Sequence, residues 1–162
     1  MTDAAPVHDA AELIRHIETR YHARQREQLP QLAAIAEKVE AVHYGDADVP
    51  EGLAEILIRM IGEMGVHMKK EELILFPAIR KGSGSGIGNP IALMRADHDD
   101  HDREIAEIRL LTRNLTLPEG ACRSWSTLNS GLAEFIDDLS EHMRLENDVL
   151  FPQFEPEHRA DA

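Results

Sequence analysis

The chain spells one pattern twice. His67-Met68-Lys69-Lys70-Glu71 is closed by Leu75-Phe76-Pro77, and His142-Met143-Arg144-Leu145-Glu146 is closed by Leu150-Phe151-Pro152. In each copy a His and a Glu stand four residues apart. On an α-helix that spacing is about 40° of rotation and about 6 Å of rise, so both side chains leave one face and can converge on one ion. Imidazole with carboxylate suits iron, manganese or zinc. The repeat therefore asks for a fold that sets two helices side by side and turns both pairs inward.

The rest of the sequence is compatible with such a fold. Its 162 residues suffice for one domain with a sizeable core. Four Phe, two Tyr and one Trp leave a core of aliphatic residues and Met, with few β-branched clusters, which favours an all-helical domain. The formal net charge of -13, with no Lys/Arg-rich run, argues against nucleic acid and anionic membranes as partners. No apolar run reaches transmembrane length. The stretch Met1 to Asp9 has neither a basic nor an apolar region of a signal peptide, and the single cysteine, Cys122, excludes an internal disulfide framework. A cytoplasmic setting is the expectation.

Four helices are expected. Asp9 and Glu12 form a capping box ahead of helix 1, read as roughly 9 to 44. Its apolar face is Leu13, Ile14, Ile17, Tyr21, Leu29, Leu32, Ile35, Ala36, Val39 and Val42, with His22 on the inward seam. Pro30 is expected to kink it. Asp48-Val49-Pro50-Glu51 starts helix 2, which carries Ile56, Met60, Met64, His67, Glu71 and Ile74 on one face. Gly62 and Gly65 could allow close packing beside His67 or simply be tolerated at the surface. The Gly/Ser-rich run from Lys81 to Asn89 reads as a flexible connector without a phosphate-binding ending. Asn89-Pro90 opens helix 3, with Ile91, Met94, His98, Ile105 and Ile108 inward. Thr116-Leu117-Pro118-Glu119 starts helix 4, whose inner face is Leu128, Leu132, Phe135, Leu139, His142, Glu146 and Leu150. The bundle is taken as 9–153, with 154–162 as a C-terminal tail.

The spacing duplicates as well. His22 precedes His67 by 45 residues, and His98 precedes His142 by 44. Each half thus gives one His from its first helix and a His-x-x-x-Glu pair from its second. Two such α-hairpins packed together make an antiparallel up-down four-helix bundle. His22, His67, Glu71, His98, His142 and Glu146 then face one interior, where six such groups are costly unless they share a metal or a fully paired network. The arithmetic suits two ions, each with two His, both carboxylates bridging, and an oxo, hydroxo or water ligand between the metals. With no thiolate in the set, iron or manganese is favoured over a structural zinc site.

This pattern resembles the hemerythrin-like (HHE cation-binding) domain, and within it the repair-of-iron-centres di-iron proteins linked to iron–sulfur cluster repair. The resemblance rests on Arg20-Tyr21-His22, Arg26-Glu27-Gln28-Leu29-Pro30, Val39-Glu40-Ala41-Val42-His43 and the two His…Leu-Phe-Pro copies. It extends to Asp97-His98-Asp99 and Ala121-Cys122-Arg123-Ser124-Trp125, and covers about Leu13 to Gln153. It implies a hemerythrin-like bundle with a non-haem di-iron centre on the same six residues. It also implies a role in nitrosative and oxidative stress, with NO, O₂ or peroxide as small ligands, damaged iron–sulfur proteins as clients, and an electron donor that it does not identify. A hemerythrin-type sensor or carrier of O₂ or NO without turnover is the alternative. Full-length repair proteins also carry an N-terminal domain with a Cys-Cys pair, for which these residues hold no counterpart. Oxygen-carrying hemerythrins differ at two places, occupied here by Asp102 and by Glu146 at four residues from His142, which makes a reversible oxygen carrier the weaker expectation.

Other polar residues receive plainer readings. His101 and Asp102 are expected in a solvated charged turn, although both could reach the site. His43, about 30 Å along the helix from His22, is expected to be a surface or capping residue. His8, His16 and His158 are expected at the surface, Tyr21 as a core aromatic, and Cys122 as a small buried hydrophobe. Glu18 and Glu63 are candidate partners of the ligands.

Overall fold

The structure is a computed structural model. It describes residues 5–82 and 86–155. His158 and most of the expected tail, like the centre of the Gly/Ser connector, lie outside the described residues. Four long helices account for the architecture: α1 (10–42), α2 (53–80), α3 (Gly88–Leu111) and α4 (123–154). Two apolar clusters fix their directions. One joins Leu32, Ala36 and Val39 of α1 to Leu53, Leu57 and Met60 of α2, and Ile105 and Ile108 of α3 to Trp125, Leu128 and Leu132 of α4. The other joins Leu13, Ile14 and Ile17 to Leu75, Phe76 and Ile79, and Ile91 and Met94 to Leu145, Leu150 and Phe151. The start of α1 meets the end of α2, and the start of α3 meets the end of α4, so each hairpin is antiparallel. The layer between the clusters holds the duplicated His and Glu residues.

Local chemistry explains most helix ends. Asp9 caps α1, its side chain accepting from the Glu12 N–H at 3.2 Å. Helical structure continues through Pro30. The second and fourth helices start later than the Pro-Glu signals suggest. Pro50-Glu51 and Pro118-Glu119 form turns that end in Gly52 and Gly120, both left-handed at φ 93° and 84°, and the regular helices begin at Leu53 and Arg123. The cap of α2 comes from another helix: the Glu40 carboxylate of α1 accepts from the N–H groups of Gly52 and Ala54 at 2.9 and 2.8 Å. Replacing Glu40 with Ala is expected to cost about 1–2 kcal/mol, read as a lower urea midpoint with an unchanged slope. Helix α3 starts at Gly88, so Asn89 lies inside it rather than at its cap. A methyl group added at Gly62 or Gly65 would meet nothing within 4 Å, so neither glycine serves a close helix approach. That approach is made by Gly131 of α4, whose added Cβ would lie 2.6 Å from Leu32 of α1. At the other end of α4, Phe154 packs against the core and the Arg95 guanidinium holds the Glu155 carboxylate at 2.7 and 2.8 Å.

Three π-helical turns interrupt the α-helices, at Ile17–His22, Glu71–Leu75 and Leu145–Leu150. Each contains one of the duplicated residues: His22, Glu71 or Glu146. A π-turn inserts an extra residue and shifts every later side chain around the helix. This accounts for one departure from the expected α2 face. Ile74 is 62% exposed, while Leu75 is buried at 2%. Val42, at the last position of α1, is also exposed.

Candidate metal centre

The six residues meet in two overlapping groups. His22 and His142 form one with Glu71 and Glu146, and His67 and His98 form the other with the same two carboxylates; within each group the ligand-type atoms lie within 4.8 Å of one another. Each group takes one His from each hairpin, so the site exists only when the hairpins are docked. All six side chains are buried, Glu71 and Glu146 completely.

The outer ring nitrogens define what the inner ones can do. His22 Nδ1 donates to Glu72 at 2.7 Å, His67 Nδ1 to Asp97 at 2.9 Å, His98 Nδ1 to Asn147 at 2.7 Å, and His142 Nδ1 to Gln25 at 3.2 Å. With the proton on Nδ1, each Nε2 carries a lone pair. These lone pairs face carboxylate oxygens: His22 Nε2 to Glu71 at 3.1 Å, His67 Nε2 to Glu71 at 3.4 Å, His98 Nε2 to Glu146 at 2.9 Å, and His142 Nε2 to Glu146 at 2.9 Å. The Nε2 atoms of His67 and His98, with Glu71 Oε2 and Glu146 Oε1, make no hydrogen bond of acceptable geometry. Acceptors pressed on acceptors in a dry interior repel unless a cation or proton lies between them. The donor set therefore fits a metal.

The local electrostatics differ across the cage: against burial, Glu146 holds the His98 ring above its ordinary value. Burial, then the charge of Glu146, push the Glu71 carboxyl well above the usual carboxylate range. Burial, with His142 beside it, draws His22 down to about 4, so its imidazole is neutral and ready to ligate. Burial opposes ionisation of Glu72, but Arg26, paired to it twice at 2.8 Å, and His22 hold it below its ordinary value. A fixed carboxylate behind His22 is the arrangement that orients a metal-binding imidazole and raises its basicity.

The Leu-Phe-Pro closures build the walls. Phe76 stacks on His22 with ring centroids 5.9 Å apart and planes at 14°; Phe151 stacks on His98 at 6.0 Å and 7°. Leu75 and Leu150 anchor each turn in the core, and each proline opens the short helical turn that follows. Tyr21 is a core aromatic and lies against His142 at 5.6 Å.

Several sequence expectations are corrected here. His101 is buried at 3% exposure, its Nδ1 paired with the buried Glu104 at 3.2 Å and its ring 5.4 Å from that of His67. Asp102, by contrast, is solvated. A cavity of about 500 Å³ borders His67, Asp97 and His101, and Glu63 lines it. Glu63 faces Glu104 rather than a ring nitrogen, and that hydrogen bond, then burial, push it up to about 7. Glu18 pairs with Arg80 at 3.1 Å. The partners of the ring nitrogens are instead Gln25, Glu72, Asp97 and Asn147. Sequence reasoning passed over them, although Glu72 and Asn147 occupy the same place in the two copies, immediately after the duplicated Glu, and each serves the first-helix His of its own hairpin. His8 is exposed, whereas His16 is half-buried against Tyr21.

Helices in two duplicated hairpins around a buried His/Glu cage define a metal-binding four-helix bundle. The chain belongs to the hemerythrin HHE cation binding domain family, which it matches over residues 13–154. It is 49% identical over 143 residues to the Iron-sulfur cluster repair protein YtfE of Pectobacterium carotovorum subsp. carotovorum, covering 88% of this chain and 65% of that protein. It is 50% identical over 141 residues to the protein of the same name from Yersinia pseudotuberculosis serotype O:1b, covering 87% and 64%. The chain thus spans a little under two thirds of the length of these relatives. Among the described residues, no helix is long and apolar enough to cross a membrane.

Proposed function

We propose that this chain is a cytoplasmic non-haem di-iron protein of iron–sulfur cluster repair, protecting cells from nitrosative and oxidative stress. The observation that carries the reading is the sharing of Glu71 and Glu146 by both residue groups, which suits two adjacent ions bridged by two carboxylates. His22 and His142 would hold one iron, and His67 and His98 the other; manganese would fit the same nitrogen and oxygen donors. The names of the relatives support damaged iron–sulfur proteins as clients. When bound, the iron pair would supply redox change and binding of NO, O₂ or peroxide.

The chain's own residues make that chemistry possible. Glu72, Asp97, Asn147 and Gln25 keep the four Nδ1 protons in place, so every Nε2 stays aimed inward. Phe76 and Phe151 block two rings from turning. Burial keeps bulk water out, and the cavity beside His67 gives small molecules an approach.

Recovery of an NO-damaged [4Fe–4S] dehydratase is the test. Recovery is expected to be faster with the iron-loaded protein than with a His142→Ala variant. Equal recovery with the two proteins would overturn the repair role. A stable NO or O₂ adduct that is fully reversed by degassing, without turnover, would move the function to sensing or carriage.

A further inference from the structure

Outside the cage, an arginine gathers the residues that hold His98. Arg95 stands on α3, three residues before His98, and its guanidinium meets three groups at the end of α4. Nη2 donates to the main-chain carbonyl of Asn147 at 2.9 Å. Nε and Nη2 donate to the two oxygens of the Glu155 carboxylate at 2.8 and 2.7 Å. The guanidinium carbon lies 5.5 Å from the centroid of the Phe151 ring. Asn147 and Phe151 are the two residues that fix the His98 imidazole: the Asn147 side-chain oxygen accepts from Nδ1 at 2.7 Å, and Phe151 stacks on the ring at 6.0 Å. Arg95 therefore touches both supports of a ring that it does not itself touch through any hydrogen bond.

The sequence explains why that carbonyl needs a partner. In the π-turn Leu145–Leu150 the Phe151 N–H is bonded to the Glu146 carbonyl, five residues back. The same ladder would take the Asn147 carbonyl to residue 152, and Pro152 has no N–H to give. A main-chain carbonyl that loses its ladder partner takes another donor. Arg95 supplies it, and the two-pronged grip of Glu155 fixes the plane of the guanidinium as it does so. The first hairpin holds its His through a different arginine. Arg26, four residues after His22, pairs with the Glu72 side chain, which accepts from His22 Nδ1. Both hairpins thus place an arginine behind the first-helix His, one acting on a side-chain carboxylate and the other on the main chain of a π-turn.

We propose that Arg95, held by Glu155, is the positioning residue of the ion position formed by His67 and His98, and that it acts through Asn147 and Phe151. The proposal rests on the two-ion reading above. A metal-binding imidazole has to keep its direction, and residues behind it that fix that direction govern affinity. Here Asn147 stops one edge of the ring and Phe151 stops one face. Both belong to the turn that Arg95 ties to α3, the helix that carries His98. Glu146 lies on the same turn, one residue before Asn147, so the carboxylate that His98 Nε2 faces at 2.9 Å is kept in register with the ring. Without the guanidinium the turn is untied from α3 and His98 loosens. His22 keeps its place, because Arg26 still holds Glu72. One ion position therefore depends on the residue that follows α4, and the other does not.

The test uses the full chain, freed of metal and titrated with cobalt(II). In Arg95→Met one of the two cobalt-binding steps is expected to weaken about tenfold, and the other by less than about twofold. Glu155→Gln, a milder change at the end of the bundle, should weaken the same step by a smaller factor. Asn147→Ala should weaken it as well, and combining it with Arg95→Met should cost less than the two single losses together, because the arginine works through that residue. In the metal-free protein, the NMR signal of the His98 Nδ1 proton should broaden or vanish in Arg95→Met while that of His22 stays. Both cobalt steps weakened alike, with a lower urea midpoint, would make Arg95 a packing residue and overturn the proposal. So would unchanged binding and an unchanged His98 signal in Arg95→Met, or losses that add fully in the double variant. A single cobalt bound by the unaltered chain would end the two-ion reading instead, and the His98 signal would still decide the role of Arg95.

Discussion

Replacing Glu71 with Gln is expected to empty both metal positions, whereas His22→Ala is expected to empty one preferentially. Glu71 faces both groups at once, Oε1 toward His22 at 3.1 Å and Oε2 toward His67 at 3.4 Å. The amide supplies one neutral oxygen and turns two N–H donors toward a cationic site, so charge and bridging are lost together. His22 serves only the group that contains His142. Metal per chain, measured after purification from iron-supplemented cells, should fall from about two to near zero in Glu71→Gln and to about one in His22→Ala, following the ligand counts that such ions require. Two metals retained in Glu71→Gln would remove the bridging role, and equal loss in both variants would mean that the two positions fill only as a unit.

The largest stability effect is expected at Phe76. Its side chain is fully buried, packs in the cluster formed by the start of α1 and the end of α2, and walls the His22 ring. Phe76→Ala leaves a ring-sized cavity between helices that cannot close without pulling His22 inward, so a loss of about 3–5 kcal/mol is expected in urea unfolding of the metal-free protein. Phe76→Leu fills more of the volume without a flat wall and should cost less stability while still weakening metal retention. Metal retained at the unaltered level in Phe76→Leu would mean that the Glu72 hydrogen bond alone orients His22. Phe151, stacked on His98 in the second hairpin, should behave in parallel.

Much of the fold was legible because its signals are periodic and duplicated. The apolar spacing of Leu128, Leu132, Phe135 and Leu139 leads straight to a buried helix face, and the repeated His-x-x-x-Glu with its Leu-Phe-Pro closure leads to two equivalent hairpins. The six residues chosen by spacing lie in one layer of the structure for the same reason: a helix converts a spacing of four into a shared face. Helix starts were less legible. Pro50 and Pro118 announce a helix, but Gly52 and Gly120 adopt left-handed turns first, and the α2 cap belongs to Glu40 on a different helix. The inward face also changes at the π-turns. An α-helical count from Glu71 keeps both Ile74 and Leu75 near the inward face, and the wider π-turn rotates Ile74 out while Leu75 stays in.

The sequence by itself determined the helical class, the two hairpins and the inventory of candidate ligands, because each depends on residue type and short spacing. Only the tertiary structure decided which His residues group together around both carboxylates, which side chains pair with their Nδ1 atoms, and that His101 and Glu104 lie inside. It alone decided that the His43 ring rests on Trp125 of a different helix. These are contacts between helices, set by the docking of the hairpins and the register of their π-turns, and a one-dimensional spacing carries no term for the distance between two helix faces.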